Sequence, residues 1–244
     1  MKKLAYLIIL LLFVPTIVFA SSFDITADKV ILYNLNDDTI LYEQNSNEQT
    51  NIASLTKIMT ALVAIENIDD YDEYVTITAK DFEGTNGYSK AGFNIGDQVT
   101  YRDLLYGVLL PSGADAVNAI VNNTLGYDAF IDAMNNKAQE IGLENTSFSN
   151  PVGKDATDNY STASDIAKLL KYALQNELFK EIFTTKEYTT SNGINLECTL
   201  YPYKDILDID MIDGSKSGFT RGAGRCLASI TTLNGVDYLL VVIH

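Results

Sequence analysis

In the segment Asn51-Ile52-Ala53-Ser54-Leu55-Thr56-Lys57-Ile58-Met59-Thr60-Ala61 a serine and a lysine stand three residues apart at the opening of an apolar run. Leu55, Ile58, Met59, Leu62 and Ile65 recur at helical spacing, and Ala61 and Ala64 keep helix propensity high. On a helix, side chains at i and i+3 share a face, which sets the Ser54 hydroxyl beside the Lys57 amine. A serine hydroxyl is a weak nucleophile until a neighbouring base removes its proton, and a lysine held neutral can be that base. Burial or a second nearby cation lowers a lysine pKa. This is the only S-x-x-K in the chain. Taken alone it reads as a serine that merely caps a helix and a lysine in solvent.

Composition narrows what base is available. The 244 residues contain one histidine, His244 at the last position, so a Ser-His-Asp or Cys-His pair and a histidine-based zinc site are excluded. Seventeen basic residues against 32 acidic ones give a net charge of −15, which argues against nucleic acid as a partner. With 47% hydrophobic residues the chain is too apolar to be disordered. Cys198 and Cys226 fit no metal-binding spacing; a disulfide and two separate buried thiols are both compatible with the sequence.

Lys2 and Lys3 precede an uninterrupted apolar stretch from Leu4 to Val14, then Pro15 and Val18-Phe19-Ala20. This pattern predicts a secretory signal over residues 1–20 and an extracytoplasmic mature chain, residues 21–244. An uncleaved anchor is the alternative, although the run is shorter than the ~20 residues that span a bilayer.

Outward from Ser54, Ala27–Leu35 and Thr39–Glu43 read as a hairpin through Asn36-Asp37-Asp38, and Tyr74–Thr78 as a short strand. Helical patterns follow over Tyr101–Leu110, Ala114–Thr124, Ala129–Ile141 and Ser164–Leu174, the last with Ser164 as candidate N-cap. Strand-like runs return at Glu187–Thr190, Gly193–Thr199, Gly224–Leu233 and Tyr238–Ile243, the last two joined by Asn234-Gly235. Strands flanking a helical middle predict an α+β fold. The expected division is a sheet part over about 24–80 and 150–244 with a mostly helical insertion over about 81–149.

Two further motifs change the weight of the first. Ser112-Gly113-Ala114 follows Pro111 at a helix opening, and Lys216-Ser217-Gly218 sits between strand-like segments, its glycine allowing close backbone approach to a ligand. Each alone reads as an ordinary cap or strand edge; in this order they form a specific constellation.

With these motifs the chain resembles the penicillin-binding D-alanyl-D-alanine carboxypeptidases, serine peptidases that share the β-lactamase/transpeptidase-like fold, an antiparallel sheet flanked by helices. The likeness runs from about Ala27 onward. It is carried by Asn51–Ala61, Leu104-Leu105-Tyr106-Gly107, Leu109–Ala116, Phe148–Gly153, Tyr160–Ala163 and Asp213–Thr220 running into Ala223-Gly224.

The resemblance implies Ser54 as nucleophile, Lys57 as base and Ser112 as the relay that passes its proton to the leaving amine. It implies that Lys216 adds positive charge keeping Lys57 neutral and, with Ser217, meets the substrate carboxylate beside Gly218. The N–H groups of Ser54 and Phe219 would form the oxyanion hole. Peptidoglycan stem peptides would be the substrate and β-lactams covalent inhibitors, with no metal or organic cofactor and with room for peripheral membrane association. Arg221 and Arg225 read as surface charges or as further carboxylate contacts, and Asn150 and Tyr160–Thr162 as residues that fix a loop.

Three features depart from the family pattern. Ala114 stands where the middle motif usually ends in asparagine, and Ser217 where threonine is commoner. The sequence stops at His244 inside a strand-like run, where family members continue with a helix and a substrate-facing arginine; a C-terminally short or partial catalytic domain is the expectation. Two other readings stay open: a sensor or binding protein of the same fold that has lost turnover, and a serine β-lactamase using Glu140-Ile141-Gly142-Leu143-Glu144-Asn145.

Overall fold

A computed structural model describes residues 25–206 and 208–244. The signal expected over residues 1–20 lies outside the described residues. Among the described residues no helix is long and apolar enough to cross a membrane.

Among the described residues nine strands and six α-helices are formed. Strands β1 (Lys29–Asn34) and β2 (Thr39–Gln44) make the expected hairpin, followed by helix α1 (Thr56–Glu66) behind a 3-10 turn at Ala53–Leu55. The short strands β3 (Tyr74–Thr76) and β4 (Gln98–Thr100) pair with each other. Helices α2 (Tyr101–Leu109), α3 (Ala114–Asn123), α4 (Tyr127–Ile141), α5 (Ala163–Ala173) and α6 (Glu177–Thr184) come next. A second short hairpin, β5 (Glu187–Thr189) and β6 (Asn195–Glu197), precedes β7 (Gly214–Thr220), β8 (Gly224–Leu233) and β9 (Val236–Ile243).

The main sheet is antiparallel throughout, in the order β2-β1-β9-β8-β7. Asn234 and Gly235 turn the last hairpin with φ of 54° and 79°, the left-handed pair that a tight two-residue link requires. Helix α1 is buried from Thr56 to Ile65 on every side, because it runs through the middle of the helical layer and touches α2 to α6. A helix with apolar residues on all its faces is stable only in such a place, and it carries Thr56, Lys57 and Thr60 into the interior with it. Helix α5 lies on the inner face of β1, β8 and β9, closing the core over Ile31, Ala228 and Val241.

Two expectations change at the level of single elements. The N-cap of α5 is Thr162, whose hydroxyl accepts from the Asp165 N–H at 3.0 Å, and Ser164 sits inside the helix. Lys216-Ser217-Gly218 is not between strands: it forms the middle of the edge strand β7. Helix α6, absent from the expectation, is capped by Asn176 and buries Phe179, Ile182 and Phe183 on one face. Cys198 and Cys226 are both buried free thiols.

Candidate active site

Sheet register explains how a lysine comes to be buried at the sheet edge. Ile31 pairs with Val241, Val241 with Ala228, and Ala228 with Lys216, so Lys216 continues a row of inward side chains that are 0% exposed. The small Ala228 beside it leaves space for its apolar stem. With a side-chain period of two, Gly214 and Gly218 face inward on the same strand. A Cβ on Gly214 would meet the Phe183 ring and carbonyl at 2.7 Å, and one on Gly218 would meet the Ser54 nitrogen at 2.7 Å. The edge strand is thereby seated directly on the backbone that carries Ser54.

That backbone is itself held in an unusual shape. Ala53 has φ of 47°, a left-handed conformation that costs a residue with a Cβ of order 1 kcal/mol and persists where its surroundings enforce it. Gly153 packs on it from the other side. Pressed between Gly153 and Gly218, the 3-10 turn presents Ser54 at the entrance to α1.

The Lys57 amine is 3.1 Å from the Ser54 hydroxyl oxygen and donates to the Val152 carbonyl at 2.8 Å. Lys57 is fully buried, and burial lowers its pKa from 10.5 to about 7, while the nearby Asp115 carboxylate pulls in the opposite direction. Asp115 opens α3 and is wholly buried, accepting from the Ala91 N–H at 2.7 Å and the Gly92 N–H at 3.3 Å.

Lys216 is also fully buried, and its amine donates to the Ser217 carbonyl at 2.9 Å. Burial is the main cause that drives its pKa well below the ordinary range, and repulsion from Lys57 adds to it. At Lys57 burial is the largest cause of the lowered pKa, and the two buried amines repel each other.

The other expected residues are placed as follows. Ser112 is buried with φ of 65°, and its hydroxyl makes no hydrogen bond, so it is not bonded to Ser54 or Lys57. The Ser217 hydroxyl pairs with the Thr199 hydroxyl at 2.5 Å. The Phe219 side chain is 68% exposed and pairs across the strands with the exposed Arg225; Arg221 is exposed as well. Glu140 is drawn to Lys137, which also bridges to Glu66 at 3.0 Å. Glu66 ends α1, nine residues and roughly 14 Å of helix rise beyond Lys57.

Asn150, read from the sequence as fixing a loop, and Asp155, Asp115 and Thr199, which sequence reasoning passed over, hold these groups in place. Asn150 accepts the Gly153 and Lys154 N–H groups, each at 2.8 Å, and so fixes the loop that offers the Val152 carbonyl to Lys57. Asp155 accepts from the Thr220 hydroxyl at 2.6 Å and the Gly222 N–H at 2.9 Å, tying that loop to the β7–β8 turn. Asp115 carried no signal beyond being an acid in the first turn of a helix. Thr199 and Asp155 are joined to the motifs only by tertiary contacts.

The family profile Peptidase_S11, D-alanyl-D-alanine carboxypeptidase, matches residues 16–244. The chain is 31% identical over 220 residues to the D-alanyl-D-alanine carboxypeptidase DacF of Bacillus subtilis, covering 88% of this chain and 57% of that protein. It is 32% identical over 232 residues to a D-alanyl-D-alanine endopeptidase of Escherichia coli, covering 91% and 73%. The chain thus spans a little over half the length of the Bacillus relative. The crystal structure of the Streptomyces K15 DD-transpeptidase superposes with a TM-score of 0.79 at 29% identity, covering 91% of each chain. A D-alanyl-D-alanine carboxypeptidase from Mycobacterium tuberculosis gives 0.80 at 26% identity, over 92% of this chain and 86% of that one. With the profile matched along nearly the whole described length and the fold shared, the chain belongs to the D-alanyl-D-alanine carboxypeptidase family, Peptidase_S11.

Proposed function

We propose that this protein is an extracytoplasmic serine D-alanyl-D-alanine carboxypeptidase that removes the terminal D-alanine of peptidoglycan stem peptides. The observation that carries the reading is the 3.1 Å contact between the Ser54 hydroxyl and a fully buried Lys57 amine whose pKa is lowered to about 7. An amine neutral at that pH can take the hydroxyl proton, which an exposed lysine cannot.

In the acylation step the Ser54 oxygen attacks the carbonyl carbon between the two D-alanines as its proton passes to Lys57. The Ser54 and Phe219 N–H groups receive the developing oxyanion, a type of contact worth about 3 kcal/mol per donor. The C–N bond then breaks, and the leaving amine takes a proton from Lys57 through Ser112. The Ser112 hydroxyl is buried and makes no hydrogen bond within the protein, which leaves it free to meet the leaving nitrogen. Water then hydrolyses the ester on Ser54.

Lys216 and Ser217 meet the terminal carboxylate of the substrate, beside Gly218. The arriving anion favours the charged form of Lys216. That charge in turn keeps the proton off Lys57, so substrate binding itself prepares the base. Penicillins acylate the same serine, and the signal-like segment at residues 1–20 supports export.

Intact-mass analysis of the protein after penicillin, with Ser54→Ala as control, tests the nucleophile, and D-alanine release from a stem pentapeptide tests the reaction. One adduct on the wild type, none on the variant, together with D-alanine release, is the expected result. An adduct that persists in Ser54→Ala removes the assignment.

A further inference from the structure

Beside the amine, on the other side of the loop that holds it, lies a cleft of about 420 Å³ between residues 80–85 and 150–154. Val152 belongs to both places: its carbonyl accepts from Lys57 at 2.8 Å, and it lines the cleft together with Ala114 from the middle motif. An asparagine at position 114 would carry an amide here; alanine leaves the wall apolar and short.

The polar groups around this cleft divide into engaged and unengaged. Asn118 donates to the Asp81 and Glu83 carbonyls at 3.1 and 3.0 Å, and Asn122 donates to the Asp81 carboxylate at 2.7 Å. The two cations that line it, Lys80 and Lys154, have no carboxylate within 4.0 Å among the described residues, Glu83 included. Lys154 reaches from one wall to the other. Its amine lies 5.6 Å from the centre of the Tyr88 ring and 3.1 Å from where a Cβ on Gly84 would stand. In a chain of net charge −15, two lysines without a carboxylate partner on one concave surface, against the single carboxylate of Glu83, leave this cleft with a local excess of positive charge.

We infer that this cleft binds the acyl side of the substrate through a free carboxylate, with Lys154 and Lys80 as its ionic partners. The assignment rests on the carboxypeptidase reading and adds to it a preference: stem peptides that keep the α-carboxylate of their D-isoglutamyl residue bind better than those in which it is amidated. A carboxylate is the group that matches two ammonium donors, whereas the neutral amide leaves both without a counter-charge.

The test uses full-chain Ser54→Ala, which binds without turning over, in calorimetric titrations with two probes. One is N-acetyl-L-alanyl-D-isoglutamyl-L-lysyl-D-alanyl-D-alanine and the other its isoglutaminyl twin. The acid is expected to bind about tenfold tighter, the scale of one charge-assisted contact, with the ratio falling as salt is added. The ratio is expected to drop towards one when K80Q and K154Q are added, and to stay in K168Q, a surface lysine of α5 paired with Asp165. Equal affinities for acid and amide, or a ratio that survives K80Q with K154Q, overturn the assignment. Wild-type protein that takes no penicillin adduct and releases no D-alanine overturns the parent reading instead, whichever way the two affinities fall.

Discussion

A Cβ placed on Gly153 would stand 1.9 Å from the carbonyl oxygen of Ala53. Backbone touches backbone there, with no flexible side chain to move aside, and Gly153 itself has φ of 88°. The turn that carries Ser54 and the loop under Lys57 are thus locked together by the absence of a side chain.

The first prediction follows from that lock. Gly153→Ala displaces both the Ser54 turn and the Val152 carbonyl, so penicillin acylation should fall at least a hundredfold, because small displacements of a reacting group cost that much. Stopped-flow acylation alongside circular dichroism measures it. A variant that acylates at the wild-type rate would show that the close approach is unimportant.

The second concerns pH. Lys57 accepts a proton only in its neutral form, and burial lowers its pKa to about 7. The acylation rate constant should therefore rise with pH through about 7 and level off above it. Asp115 raises this pKa, so Asp115→Asn should move the rising limb to lower pH. A pH–rate profile that is flat from 5 to 9, or a limb that moves upward in Asp115→Asn, contradicts the assignment of the base.

Stability carries the same signature with its own sign. In the unfolded chain Lys57 protonates below 10.5, but in the folded chain only below about 7. The fold therefore bears its full penalty below about 7, sheds it as pH rises, and is free of it above 10.5. At about 1.4 kcal/mol per pH unit the gap opposes folding by roughly 5 kcal/mol at neutral pH. Leaving the Val152 carbonyl without its donor offsets about 1–3 kcal/mol of any relief. Lys57→Met should thus be more stable than wild type by a few kcal/mol in urea titrations at pH 6–7, and lose that advantage towards pH 10.5, while failing to acylate.

The Thr199 hydroxyl orients the Ser217 hydroxyl at 2.5 Å. Thr199→Val keeps the shape and removes the partner, which costs about 1 kcal/mol. The expected result is KM for a D-Ala-D-Ala peptide raised about fivefold with kcat changed little, because the contact acts on the bound carboxylate and not on the reacting carbonyl. Equal losses in kcat and kcat/KM would place Thr199 in the chemical step instead.

Much of this architecture is legible in local pattern. The Asn36–Asp38 and Asn234–Gly235 links, the apolar helix after Ser54 and the breaks at Pro111 and Gly126 all lie close to where the structure has them, since turn chemistry and hydrophobic period act over a few residues. Helix α6 was legible too: Asn176 followed by Phe179, Ile182 and Phe183 is a cap and a stripe, hidden by its eight-residue length. The strand around Lys216 escaped because Gly214-Ser215-Lys216-Ser217-Gly218 has neither bulk nor alternation. It is a strand because β8 pairs with it along its whole length.

Within the site, the amino-acid sequence by itself determined which side chains are capable of the chemistry: a lone S-x-x-K in a chain whose only histidine is His244, and a second lysine followed by a hydroxyl. Only the tertiary structure decided the proton affinity on which the proposal of Lys57 as base rests. Its proton affinity is set by what surrounds the amine, namely the Val152 carbonyl, Asp115, Lys216 and the exclusion of water. These lie from 58 to 159 positions away along the chain and meet only when the sheet edge closes on the helix. A desolvation free energy belongs to a volume of space, and short-range sequence pattern has no access to it.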